Sequence, residues 1–228
     1  MDKMNLSTGT LVTAKPTYPD QNPIVLVVDD DESLRLSICD LLESVGIEAA
    51  GFASTQALMD ADLLDRPGCM ILDVRMPGVS GLDFQSRLAA SGISASIIFL
   101  TGYGDIPMTV QAMKAGAIEF LTKPVREQTL LDAVNKAIEI DKERRAAQLT
   151  KDANIALYAT LTPRERQVME AVVRGALSKQ IAFELNISEI TVKLHRSSVM
   201  RKMKTSFVTQ LVHAWQSIPS DIRNDYAA

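Results

Sequence analysis

The chain holds 228 residues, 46% of them hydrophobic, which suits one large globular domain or two small ones. Its formal charge of −4 is unevenly spread: between Leu161 and Ile218 nine basic residues face four acidic ones, a local +5 that leaves −9 for the remainder. The pattern holds no disulfide framework, no cysteines at ligand spacing, no secretory leader in 1–21 and no run of about 18 apolar residues. The reading is a cytoplasmic protein without membrane contact, whose basic half meets a polyanion.

Residues 1–22 are polar, with Gly9, Pro16 and Pro19 and with Pro23 just after them, and read as a flexible arm. Ile24–Val28 reads as a buried strand, and 33–44 as a helix with Leu34, Ile38, Leu41, Leu42 and Val45 on one face. Glu48–Phe52 is a short strand and 54–62 a serine-capped helix; 70–72, 81–90, 96–100, 106–115 and 119–121 continue the alternation. Five strands separated by helices imply a parallel sheet covered on both faces. A helical pattern after Pro124 (Leu130, Leu131, Val134, Ala137, Ile138) meets no glycine or proline until Pro163. It is either one long helix or a last helix followed by a linker.

From Leu161 the pattern is wholly helical. Thr162 caps a helix with Pro163 in first position, and Ser178 and Ser188 cap two more, 178–185 and 188–203. The short link Asn186-Ile187 between them, and the longer, more basic second helix, read as a helix-turn-helix. A last helix, 207–218, carries Leu211, Val212 and Trp215. The expected divisions are 1–22 arm, 23–140 first domain, 141–160 helical linker, 161–218 second domain and 219–228 tail.

Four apolar runs of the first domain deliver polar groups at their carboxyl ends: Val28-Asp29-Asp30, Asp73 ahead of Met76-Pro77-Gly78, Leu100-Thr101-Gly102 and Thr122-Lys123-Pro124. Ligands gather at that edge of an open parallel sheet. Acids, a hydroxyl and an ammonium together make a site for a cation and a phosphoryl group. Any one of them alone reads equally as a helix cap, a strand-end turn or a surface lysine, and Asp31 and Glu32 are read that way. All four in order are specific. They resemble the receiver domain of bacterial two-component response regulators, over roughly 23–140.

The resemblance implies a flavodoxin-like fold with Asp73 as phosphoacceptor. A carboxylate can take a phosphoryl group as an acyl phosphate, and the meeting of two anions calls for a hard dication, Mg²⁺. By resemblance Asp30 and Asp73 bind it directly, the backbone carbonyl of Arg75 adds a ligand, and Asp29 acts through water. Lys123, ahead of a cis bond to Pro124, pairs with the incoming phosphoryl oxygens, and Thr101 hydrogen-bonds to one after transfer. Phe120 stands where this family carries a switch aromatic that rotates when Thr101 draws its loop inward; the other reading is a permanently buried phenylalanine. Tyr103 is a possible gate over the pocket.

In the basic half, Leu161–Arg166, Lys179–Ala182, Ile187-Ser188 and Thr191–Arg196 resemble the LuxR-type helix-turn-helix, and the whole chain resembles a FixJ-type regulator of the NarL/LuxR class. Ser178 departs from the more usual asparagine. On a wheel of about 100° per residue, Val192, Val199 and Met203 form the inner stripe of the second helix, with His195 beside it as a packed residue. Ile190, Lys193, Leu194, Ser197 and Arg201 point the other way. Lys193, Leu194, Ser197 and Arg201 are therefore candidate groove contacts, and Arg196, Lys179 and Lys202 candidate phosphate contacts. The last helix is the family's usual dimer surface, although its apolar residues equally fit packing onto the core.

These residues imply a DNA-binding response regulator. A sensor histidine kinase phosphorylates Asp73; dimerisation or domain release then controls promoter binding, and RNA polymerase is a further partner. A constitutive DNA binder with a retired receiver would have no use for the complete set of pocket residues. A phosphatase turning over at Asp73 would want a second carboxylate two residues on, where Arg75 stands. The chain is read as no enzyme beyond slow self-dephosphorylation.

Overall fold

The computed structural model describes residues 22–102 and 104–224, Asn224 by its backbone alone. Tyr103, residues 1–21 of the expected arm and residues 225–228 of the tail lie outside the described residues. Two compact units divide between Lys142 and Glu143.

In the first unit, strands β1 (Ile24–Val28), β2 (Glu48–Phe52), β3 (Gly68–Leu72), β4 (Ile97–Thr101) and β5 (Glu119–Thr122) alternate with helices. These are α1 (Glu32–Ser44), α2 (Thr55–Asp60), α3 (Gly81–Ala90), α4 (Ile106–Lys114) and the start of α5 (Glu127–Ala159). The sheet is parallel throughout, in the order β2-β1-β3-β4-β5. This is the flavodoxin-like order. The unbroken apolar runs have a simple cause, since β1, β3 and β4 are buried on both faces. Ile24, Leu26 and Val28 belong to the core that includes Leu58 of α2, Phe84 and Leu88 of α3 and Ala112 of α4. Their neighbours Val25 and Val27 belong to a second core with Ile38 and Leu42 of α1 and Leu130 and Val134 of α5. Val45, expected on the buried face of α1, is instead its exposed C-cap, because the helix ends there and Gly46 turns the chain in a left-handed conformation.

The stretch after Pro124 is one 33-residue helix. Asp141, expected as the first linker residue, is 1% exposed, and its carboxylate accepts the Gly68 N–H at 2.9 Å. At the other end Ile155, Leu157 and Tyr158 pack into the second core. The stretch between the cores is therefore shorter at both ends than 141–160.

The second unit contains α6 (Pro163–Val173), α7 (Ser178–Leu185), α8 (Glu189–Lys202), α9 (Val208–Ser217) and the short α10 (Ser220–Asn224), which fills the start of the expected tail. Thr162 and Glu165 close a capping box at α6. Ser188 caps α8 by accepting the Thr191 N–H. Ser178 does not cap α7: the N-cap is Leu177, whose N–H is taken by the Gln180 side chain at 2.7 Å, so Ser178 is the first helical residue. Asn186 makes the turn with φ 50° and ψ 51°, a left-handed conformation that asparagine tolerates. On α9, Leu211 is buried and Trp215 half-buried, its ring edge-on to Tyr158 at 6.0 Å. That accounts for these two residues by packing inside the unit.

Candidate functional site

The topology brings the acids together first. β1 and β3 are neighbours with Val28 opposite Leu72, so Asp29 and Asp73 leave the sheet side by side, and the Asp73 N–H donates to the Val28 carbonyl at 2.9 Å. β4 and β5 end opposite each other at Thr101 and Thr122, and the Lys123 N–H donates to the Thr101 carbonyl at 2.8 Å. The Lys123–Pro124 bond is cis. The ammonium donates to Asp29 Oδ2 at 2.7 Å and to Asp73 Oδ2 at 2.9 Å.

Asp29, Asp73 and Thr101 are buried, while Asp30 is exposed at the mouth. Burial pushes the Asp29 carboxyl above its usual range, opposed by the hydrogen bond from Lys123. Burial works against the Lys123 charge, yet bonds to Asp29 and Asp73 outweigh it and hold the ammonium above its ordinary value. The contact at 2.7 Å is a charge-assisted hydrogen bond that favours the charged form of each partner. The second oxygens are also engaged: Asp29 Oδ1 accepts the Asp31 N–H, and Asp73 Oδ1 accepts the Arg75 N–H. Asp31 caps α1 by accepting the Leu34 N–H, the helix-cap reading given to it from the sequence.

Oxygens of Asp29, Asp30 and Asp73 lie within 4.8 Å of one another. Three hard anionic donors, two buried and one exposed, fit a Mg²⁺ ion that retains several waters. The Arg75 side chain is exposed and its N–H faces Asp73. Phe120 is half-buried, tilted against Phe99 with centroids 6.0 Å apart.

In the second unit the wheel holds. Val192, Val199 and Met203 are buried and His195 is half-buried. Ile190, Lys193, Leu194, Ser197 and Arg201 are exposed, Ile190 by 73% and Leu194 by 67%. Lys179 of α7 is exposed; Arg196 is half-buried and lines a small apolar cavity with Val199, Met200 and Leu211. Lys202 departs from the expectation of a phosphate contact. Its ammonium donates to Glu165 Oε2 at 2.6 Å and to the Thr160 carbonyl at 3.1 Å, which commits it to the fold.

Three features had no reading in the sequence. A β-carbon on Gly81 would stand 2.3 Å from the Asp73 carbonyl, so α3 starts directly on the Asp73 backbone. Arg35 donates to the Asp29 carbonyl at 2.7 Å. Glu165 accepts from Ser198 and Lys202, far along the chain. The Thr162–Glu165 spacing signals a cap; nothing local signals the partners on α8.

Residues 25–135 match the family described as response regulator receiver domains, and residues 159–215 match the bacterial regulatory proteins of the luxR family. Nodulation protein W of Bradyrhizobium diazoefficiens is 48% identical over 195 residues, 86% of each chain. Response regulator protein TmoT of Ectopseudomonas mendocina is 42% identical over 204 residues, 90% of this chain and 93% of its own. Among solved structures, the response regulator StyR superposes with a TM-score of 0.75 at 45% identity, covering 86% of this chain and 99% of that one. The chain belongs to the two-component response regulators that join a receiver domain to a LuxR-type DNA-binding domain. Its relatives in that family are regulators of transcription. Among the described residues no helix is long and apolar enough to cross a membrane.

Proposed function

We propose that Asp73 is the phosphoacceptor and that its phosphorylation by a sensor histidine kinase controls promoter binding through α8. The observation that carries this reading is the pocket: the Asp73 carboxylate at a strand end, Lys123 Nζ at 2.9 Å, and oxygens of Asp29 and Asp30 within 4.8 Å. A carboxylate oxygen of Asp73 attacks the phosphorus of a phosphohistidine; the new P–O bond replaces the P–N bond, whose electron pair stays on the imidazole, which takes up a proton. Lys123 shifts its hydrogen bonds from the carboxylates to the phosphoryl oxygens, so positive charge lies where negative charge grows. Mg²⁺, held by Asp30, Asp73 and the Arg75 carbonyl and by Asp29 through water, would neutralise the approaching anions. The buried Thr101 then receives a phosphoryl oxygen, its loop moves inward, and Phe120 rotates.

The exposed Lys193, Leu194, Ser197 and Arg201 meet base edges, with Lys179 and Arg196 on phosphates. The phosphorylated chain acts in the cytoplasm as a homodimer that reads two half-sites and engages RNA polymerase. It is not a turnover enzyme: two residues after the acceptor stands Arg75, with no carboxylate to activate water. The test is intact mass after incubation with acetyl phosphate, with and without Mg²⁺. A Mg²⁺-dependent gain of one phosphate, absent in Asp73→Asn, is expected; the same gain in the variant would remove Asp73 from the role.

A further inference from the structure

We infer that Glu165 is a positioning residue for DNA recognition: one buried carboxylate ties the first turn of α6 to the last two turns of α8 and sets the roll of the reading helix. This rests on the reading of α8 as the helix that enters the groove.

The geometry is unusually complete for a helix cap. Glu165 is 5% exposed. Its Oε2 accepts the Thr162 N–H at 2.8 Å, which closes the capping box with the Thr162 hydroxyl, itself accepting the Glu165 N–H at 3.3 Å. A cap of this kind needs nothing more and is served equally by Glu or Gln. Yet Oε1 also accepts the Ser198 hydroxyl at 2.6 Å, and Oε2 the Lys202 ammonium at 2.6 Å. The same ammonium donates to the Thr160 carbonyl, just beyond the end of α5.

Ser198 and Lys202 lie one turn apart on α8, and each adjoins an outward candidate reader, Ser197 and Arg201. Anchors and readers are therefore about 100° apart on one rigid cylinder. A roll of about 10° moves a side-chain tip at a radius of about 6 Å by about 1 Å. Misplacement of that size is enough to spoil a bidentate base contact, which needs its groups held to within about 0.5 Å. Loss of the anchor would therefore weaken base reading more than phosphate attraction, because phosphate contacts tolerate displacement and carry no sequence information.

The experiment uses the full chain loaded with acetyl phosphate and Mg²⁺. Its affinity is measured at fixed salt for two probes: the duplex that the wild-type chain enriches from a random-sequence pool, and poly(dI-dC). Folding is followed by the fluorescence of Trp215, the single tryptophan. Glu165→Gln keeps a cap acceptor and loses the charge facing Lys202; Ser198→Ala removes one bond and leaves the ion pair. The expected result is a fall in the ratio of specific to non-specific affinity, about tenfold for Glu165→Gln and about threefold for Ser198→Ala, with poly(dI-dC) binding unchanged. Simple loss of folded protein would lower both affinities together. If Glu165→Gln does not fold, Ser198→Ala decides alone. An unchanged ratio in the folded variants, with Lys193→Ala lowering it, overturns the positioning role and leaves α8 as the reader. An unchanged ratio in Lys193→Ala as well removes α8 from the groove and the inference with it.

Discussion

A β-carbon on Gly104 would stand 2.8 Å from Cε1 of Phe120, so the loop after β4 lies directly against the aromatic ring. The ring is the movable partner, because it ends a flexible side chain whereas Gly104 contributes only backbone. Gly104→Ala should therefore push Phe120 from this seat without any phosphate. A bias of about 1 kcal/mol changes the populations of two states about fivefold. The unphosphorylated variant is expected to bind its selected duplex several-fold more tightly than the unphosphorylated wild type. Wild-type affinity in a folded variant would detach the position of this ring from the output.

Lys123 serves two carboxylates at once, and that duality gives opposed expectations for its removal. In Lys123→Met the charge offered to the incoming phosphoryl group disappears, and acceptance should slow by about 100-fold, the usual loss for one preorganised donor. The same change leaves Asp29, Asp30 and Asp73 without the competing cation, so Mg²⁺ should bind several-fold more tightly. Phosphate incorporation followed by mass, and Mg²⁺ titration of the unphosphorylated chain, separate the two effects. Parallel losses of both would point instead to collapse of the pocket.

What the sequence disclosed was what is periodic or local. The continuous burial of β1 and β3, the residues at four strand ends, and the Ser188 cap were all legible, because each follows from a run or spacing of a few residues. Placement of Asp29 beside Asp73 followed from strand order, which the family resemblance supplied. Long-range contacts were not legible. Lys202 reads as an exposed base at the end of a basic helix, and only the packing of α6 against α8 reveals that it faces Glu165, 37 residues away. The Gly81 contact with the Asp73 carbonyl is equally silent, since a glycine opening a helix looks the same whether or not a backbone presses on it. The misplaced Ser178 cap shows the limit of residue-type rules: Gln180 supplies the acceptor from inside the helix.

The Glu165 network gives a pH signature confined to the second unit. Burial opposes the charge, but bonds from Lys202, Ser198 and Thr162 outweigh it and lower the carboxyl to about 2, against 4.5 ordinarily. A carboxylate depressed in the folded state adds stability that is complete above the unfolded value and is lost as pH falls through the folded one. The window is therefore about pH 5 down to about pH 2. Urea midpoints read from Trp215 should fall steadily across it in the wild type. In Glu165→Gln that part of the slope should disappear, with the midpoint at pH 7 already lower. A slope unchanged by the substitution would assign the acid sensitivity to other groups.

Salt separates the two kinds of basic residue around α8. A lysine or arginine on a phosphate releases condensed counterions, so its removal should lower the slope of log affinity against log salt by about 0.9. Lys179→Ala and Arg196→Ala are expected to do this on every duplex alike. Lys193→Ala should act differently, costing about 1 to 3 kcal/mol on the selected sequence and relaxing the preference at one base pair. Lys202→Met is the informative contrast. Its ammonium is half-buried against Glu165 and the Thr160 carbonyl, where salt screens it little. The salt slope should therefore stay at the wild-type value while urea resistance of the second unit falls by about 2 kcal/mol, the loss for a bond to a charged group. A slope reduced in Lys202→Met as it is in Arg196→Ala would return Lys202 to the phosphate backbone and would mean that its bond to Glu165 opens when DNA binds.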